Sequence, residues 1–185
     1  SDPLDKLRLL IDAKHLSERI QELADQIVAD FPADTGEGED PVIVVVLKGG
    51  FLFGADLLKA LARPVPVVFI PHRDGGHPIT LSQQDLEIIH DRHLVVVDAL
   101  LDTGGTMRHI IQYLEGAGTQ SIRLAVLLHR SVGEDDPLPV NYLGFEVPNV
   151  RLVGYGLDEG QRFRGMPEVY TWWEPGFTDQ SQPLC

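Results

Sequence analysis

Cysteine is nearly absent from this chain: among 185 residues only Cys185, the last, carries a thiol. One thiol excludes an intrachain disulfide framework, and a reducing cytoplasm is the expected setting. Cations are also scarce, with 15 Lys and Arg against 28 Asp and Glu and a net charge of −13. Nucleic-acid binding leans on Lys and Arg to neutralise phosphates, so such a partner is not expected. A small anionic ligand remains open, because it needs only a few local cations and backbone amides. No apolar run reaches the length of a membrane span, and the opening SDPLDKLRLLIDAKH is too charged for a secretory signal. No membrane partner is expected.

What the chain does have is apolar content of 43% and charged content of 23%, which suit one globular domain over 1–185. HLSERIQELADQIVADF places Leu16, Ile20, Leu23, Ile27 and Val28 on one stripe and predicts a helix. PVIVVVL, PVPVVFI, HLVVVDALL and SIRLAVLLH are continuous runs rich in β-branched residues, as expected of strands covered on both faces. KGGFLFGADLLKALA and TMRHIIQYLEGAG predict the helices between them. PHRDGGHPITLSQQDLEI is polar and turn-rich and reads as a mobile loop or weak hairpin. NYLGFEVP, RLVGYGLD and VYTWW suggest short strands near the end of the chain. Alternating strands and helices give an α/β fold, a parallel sheet flanked by helices.

Ligands of such sheets bind beyond the carboxyl ends of the strands. Three polar stretches fall there: Lys48-Gly49-Gly50, Asp98 to Thr106, and His129-Arg130. Asp102-Thr103-Gly104-Gly105-Thr106 has the composition of an anion cradle, with glycines that let backbone N–H groups face inward and a helix start behind them. On the pentapeptide alone, a Gly-rich turn with a Thr N-cap is the preferred reading. Neither a Walker loop nor a dinucleotide fingerprint is present.

Residues 93–107, HLVVVDALLDTGGTM, resemble the ribose-phosphate signature of type I phosphoribosyltransferases. VVVLKGGFLFGADLLKAL, LLHR, YLGFEVP, LVGYGLD and QRFRGMPEVY follow in the order of the hypoxanthine–guanine branch. The resemblance implies the type I fold, with a core over about 15–150 and a small hood formed by the N-terminus and about 150–185. It implies Mg²⁺-dependent transfer of phosphoribose from phosphoribosyl pyrophosphate to a 6-oxopurine, giving a nucleoside 5′-monophosphate and pyrophosphate. It implies a homodimer or homotetramer. On its matching positions, Asp102, Thr103, Gly104, Gly105 and Thr106 hold the 5′-phosphate, and Asp102 doubles as general base or acid near the purine N7. Asp98 faces the ribose and the metal. Lys48, Gly49 and Arg164 meet the pyrophosphate. Arg130, Arg151, Leu152 and Asp158 meet the purine, with Asp158 also on the metal.

The chain departs from the family pattern at named places. Ala99 replaces the second acid of a pair, Arg130 stands where a lysine that donates to the purine 6-oxo group is usual, and Arg151 stands where an aromatic stacks on the base. Segment 71–92 is shorter than the family's catalytic loop and lacks its Ser-Tyr pair, leaving His72, Arg73 and His77 as the polar candidates there. Besides the enzyme, these departures admit a nucleotide-binding homologue with little turnover. An RNA-binding attenuator is disfavoured by the acidic balance.

Overall fold

The computed structural model describes residues 2–33, 40–71, 78–130 and 137–173. His72, Arg73, His77 and Cys185 lie outside them. Five parallel strands form the central sheet: β2 (Val42–Leu47), β3 (Val67–Pro71), β4 (His93–Leu101), β5 (Ser121–Arg130) and β6 (Tyr142–Val147), in the spatial order β3-β2-β4-β5-β6. The central stretches of the inner strands are apolar because both faces are covered. Ile43, Val45, Val95, Val97, Ala125 and Leu127 pack with helices α1 (Ala13–Asp30) and α2 (Phe51–Leu61). Val42, Val44, Leu94, Val96, Leu124 and Val126 pack on the opposite face with α3 (Gln83–Ile89) and α4 (Gly105–Gly116). Strand periodicity assigns alternate residues to the two layers.

α1 starts where Asp12 accepts the N–H of His15 at 2.8 Å, and it buries the Leu16, Ile20, Leu23 and Ile27 stripe. α3 corrects the expectation of a loop or hairpin over that whole stretch. Ser82 accepts the N–H of Asp85 at 3.1 Å, and this cap starts a helix of 7 residues.

A second sheet of three antiparallel strands, ordered β1-β8-β7, joins β1 (Leu7–Ile11) to β7 (Leu152–Val153) and β8 (Val169–Trp172). Between β7 and β8 the chain folds back on itself. Tyr155 donates its N–H to the Met166 carbonyl and Gly156 to that of Arg164, each at 2.8 Å. This fold-back lays residues 156–164 against the carboxyl end of the parallel sheet. No helix among the described residues is long and apolar enough to cross a membrane.

Candidate active site

A cleft of about 720 Å³ opens at the carboxyl ends of β2 and β4, a size suited to a small-molecule ligand. Three segments wall it: Val46 to Gly49 at the end of β2 and just beyond it, Asp98 with Leu100 to Met107 around the turn from β4 into α4, and Leu157, Asp158, Gln161 and Arg164 from the fold-back. Lys48, Gly49, Asp98, Asp102 to Thr106, Asp158 and Arg164, singled out in the sequence from separate motifs, thus share one cavity.

The turn after β4 explains the glycines. Gly104 adopts a φ of +79° at the N-cap of α4, and a Cβ there would sit 3.2 Å from Leu138 Cδ1. Gly104, the N-cap residue, has no side chain to accept from the helix start, and neither threonine takes that place. The first amides of a helix lack intrahelical partners, and here residues 104–107 line the cleft. A glycine-capped helix start bordering a cavity is an anion site in waiting. Asp102 does not cap α4 either. Arg130 donates through Nε to its Oδ1 at 3.0 Å and through Nη2 to its Oδ2.

Asp98, on β4, is half-buried and accepts the N–H of Ala99 at 2.8 Å. Burial pushes its carboxyl up to about 7, against the pull of the Ala99 and Leu100 amides. Ala99 itself is 1% exposed and does not line the cleft.

Across the cavity, the Leu47–Lys48 peptide is cis. Lys48 donates through Nζ to Gln161 Oε1 at 3.4 Å. Arg164 donates to the Gly156 carbonyl at 2.7 Å and to Gln161 Oε1 at 3.0 Å, and its Nη2 lies 3.3 Å from Asp158. Its Nε is buried without a hydrogen-bond partner among the described residues. Gly156, at φ +97°, passes so close to Gly49 that a Cβ would fall 2.2 Å from the Gly49 carbonyl oxygen. Only glycine admits this contact, which seats the fold-back on the Lys48-Gly49 turn.

Three residues expected at the purine lie outside the lining. Arg130 sits behind Asp102. Arg151 pairs with Glu159, and its guanidinium lies 5.9 Å from the centre of the Trp172 ring. Leu152 is 5% exposed and packs with the core. Conversely, Gln161 is a lining residue that the sequence did not mark. It lies in QRFRG between the expected charges, and an uncharged amide carries no chemical flag of its own.

An α/β sheet with a glycine-capped helix start and two cations around one cleft at its carboxyl edge has the features of a site for small anionic ligands. The family is settled by comparison. The family model of the phosphoribosyl transferase domain matches residues 10–160, and the chain belongs to that family. It is 36% identical over 172 residues to the hypoxanthine-guanine phosphoribosyltransferase of Aquifex aeolicus, covering 89% of this chain and 94% of that one. It is 31% identical to the bifunctional protein TilS/HprT of Listeria innocua, where the match covers 89% of this chain and 26% of that longer protein. A crystal structure of the hypoxanthine phosphoribosyltransferase of Trypanosoma cruzi superposes with a TM-score of 0.79 at 27% identity, over 90% of this chain and 96% of that one.

Proposed function

We propose that the cleft transfers the phosphoribosyl group of phosphoribosyl pyrophosphate to a 6-oxopurine, hypoxanthine or guanine, in purine salvage. One observation carries this reading: the glycine-capped turn at 102–106 faces Lys48, Gly49 and Arg164 across a single cavity. A ligand with a phosphate at one end and a pyrophosphate at the other suits donors placed on two walls of one cavity. A relative named hypoxanthine-guanine phosphoribosyltransferase supports the choice of base.

In this reading the 5′-phosphate rests on the amides of 103–106 and the Thr103 and Thr106 hydroxyls, while Asp98 faces the ribose. Lys48 and Arg164 neutralise the pyrophosphate. The purine lies between Asp102 and the Leu157-Asp158 stretch. A purine nitrogen bonds to ribose carbon 1 as the bond to the pyrophosphate oxygen breaks. Positive charge on the sugar in the transition state is eased by the carboxylates, and Asp102 takes the proton released by the base. Fixing both partners in one cleft supplies much of the rate.

A divalent cation fits the residues present. The charged lining holds two cations, Lys48 and Arg164, against three carboxyls, Asp98, Asp102 and Asp158. Such a cleft cannot neutralise a polyphosphate unaided. No group of three or more His, Cys, Asp or Glu able to hold a metal occurs among the described residues, which suits Mg²⁺ arriving with its phosphate and water ligands and touching one or two carboxylates. Asp98 and Asp158 would hold it, and the ion would neutralise the leaving pyrophosphate. A homodimer or homotetramer belongs to the same reading, and sedimentation at the monomer mass would refute it.

Incubation with phosphoribosyl pyrophosphate, Mg²⁺ and, separately, hypoxanthine, guanine, xanthine and adenine tests the proposal. Nucleoside monophosphate and pyrophosphate should appear in equal amounts with hypoxanthine or guanine. No product with any base overturns it.

A further inference from the structure

Arg130 occupies an unusual place for a residue at the end of a sheet strand beside a ligand cleft. Its guanidinium makes three contacts at once: Nε to Asp102 Oδ1 at 3.0 Å, Nη2 to Asp102 Oδ2, and Nη1 to the Val150 carbonyl at 2.7 Å. Its side chain is 17% exposed, against 39% for Asp102. Asp102 lines the cleft and Arg130 does not.

We infer that Arg130 is a positioning residue, which orients the Asp102 carboxylate toward the bound base and does not itself touch the base. This inference rests on the function proposed above. A carboxylate oxygen offers two lone-pair sites, and the fork occupies one on each oxygen. One site per oxygen therefore stays free for a purine N–H on the cleft side. Arginine suits the task because its donors form a rigid planar fork that matches a carboxylate bidentately. A lysine ammonium delivers one point contact and leaves the carboxylate plane free to rotate. The third contact, to Val150 just before β7, ties this orientation to the chain that enters the second sheet.

A direct ligand and a positioning residue predict opposite kinetics. Arg130→Met and Arg130→Lys should be compared with the unaltered protein, using hypoxanthine, guanine and adenine as acceptors. The expected result for Arg130→Met is a fall in kcat of about 10–100-fold, with KM for the base and the preference for 6-oxo over 6-amino purine nearly unchanged. Arg130→Lys should recover part of kcat. Arg130→Met combined with Asp102→Asn should be no slower than Asp102→Asn alone, because both act through one carboxylate. A tenfold rise in KM for the base, a lost 6-oxo preference, or losses that multiply in the double variant would overturn the inference.

If the unaltered protein transfers to none of the bases, the proposed function has failed, and the pairing is judged separately on ligand-free melting of the unaltered protein, Arg130→Met, Asp102→Asn and their double variant. Melting shifts of the two single changes that fall short of adding in the double variant support the fork. Additive shifts overturn it.

Discussion

Arg164 donates to the Gly156 carbonyl at 2.7 Å, and Gly156 rests directly on Gly49. Arg164 thus braces the fold-back from within, at the residue that touches the turn after β2, while its Nε has no hydrogen-bond partner among the described residues. In the proposed function Arg164 combines this structural role with binding of pyrophosphate, and substitutions should separate the two. Arg164→Lys keeps a charge but loses the fork, and Arg164→Met loses both. KM for phosphoribosyl pyrophosphate should rise by about tenfold in the first and about a hundredfold in the second, as expected for one and then two lost charge-assisted contacts. KM for the base should move little. Equal effects on both substrates would place Arg164 outside the pyrophosphate site.

Asp98 gives a pH signature. Its carboxyl titrates near 7 in the folded chain against an ordinary value of 3.8. Between those values the native protein holds a proton that the unfolded chain has released, so stability falls as pH rises. The contribution is complete below about pH 4 and is gone once pH has passed through 7. Asp98 borders a solvent-filled cleft, so the effect should amount to about 2 kcal/mol, less than a fully enclosed carboxyl would show. Asp98→Asn, without added divalent cation, should melt several degrees above the unaltered protein at pH 8, with the gap narrowing at pH 5. A gap that is constant with pH would contradict the raised value.

The adjacent glycines of the phosphate turn should respond in opposite senses. Gly104→Ala places a side chain at φ +79° and against Leu138, which should cost about 1–2 kcal/mol and distort the turn. Gly105 has nothing within 4 Å of a would-be Cβ and begins α4, so Gly105→Ala should stabilise by about 0.5 kcal/mol. Denaturant midpoints, with calorimetric binding of a nucleoside monophosphate, measure both. Binding should weaken in Gly104→Ala and persist in Gly105→Ala.

The parallel sheet was legible because strands buried on both faces leave long runs of Val, Ile and Leu, and the α1 stripe because its spacing is helical. α3 was hidden, since 7 residues with a single fully buried side chain make almost no pattern. β1 was hidden for a different reason: LRLLI is short, and its partner strand lies far along the chain, with Leu7 beside Trp172. Within the cleft, the glycines and acids of 98–106 could be read because their chemistry is local. The Arg130–Asp102 fork could not, since 28 positions separate its members and either residue alone is an ordinary surface charge. Gln161 escaped notice because its importance lies in bridging Lys48 and Arg164, a relation that exists only after folding.

β8 is the middle strand of the three-stranded sheet, held on one side by β1 and on the other by a β7 of only two residues. Residues 7–11 therefore act as a seam for the roof above the cleft: unpicked, they would leave β8 an open edge with one short neighbour. The parallel sheet would keep all of its own ladders. Two tiers of cooperativity are expected, a durable base and a smaller sheet that opens at lower free energy; the cleft is walled by both, with Lys48 and Gly49 following β2 of the first and Arg164 on the fold-back of the second.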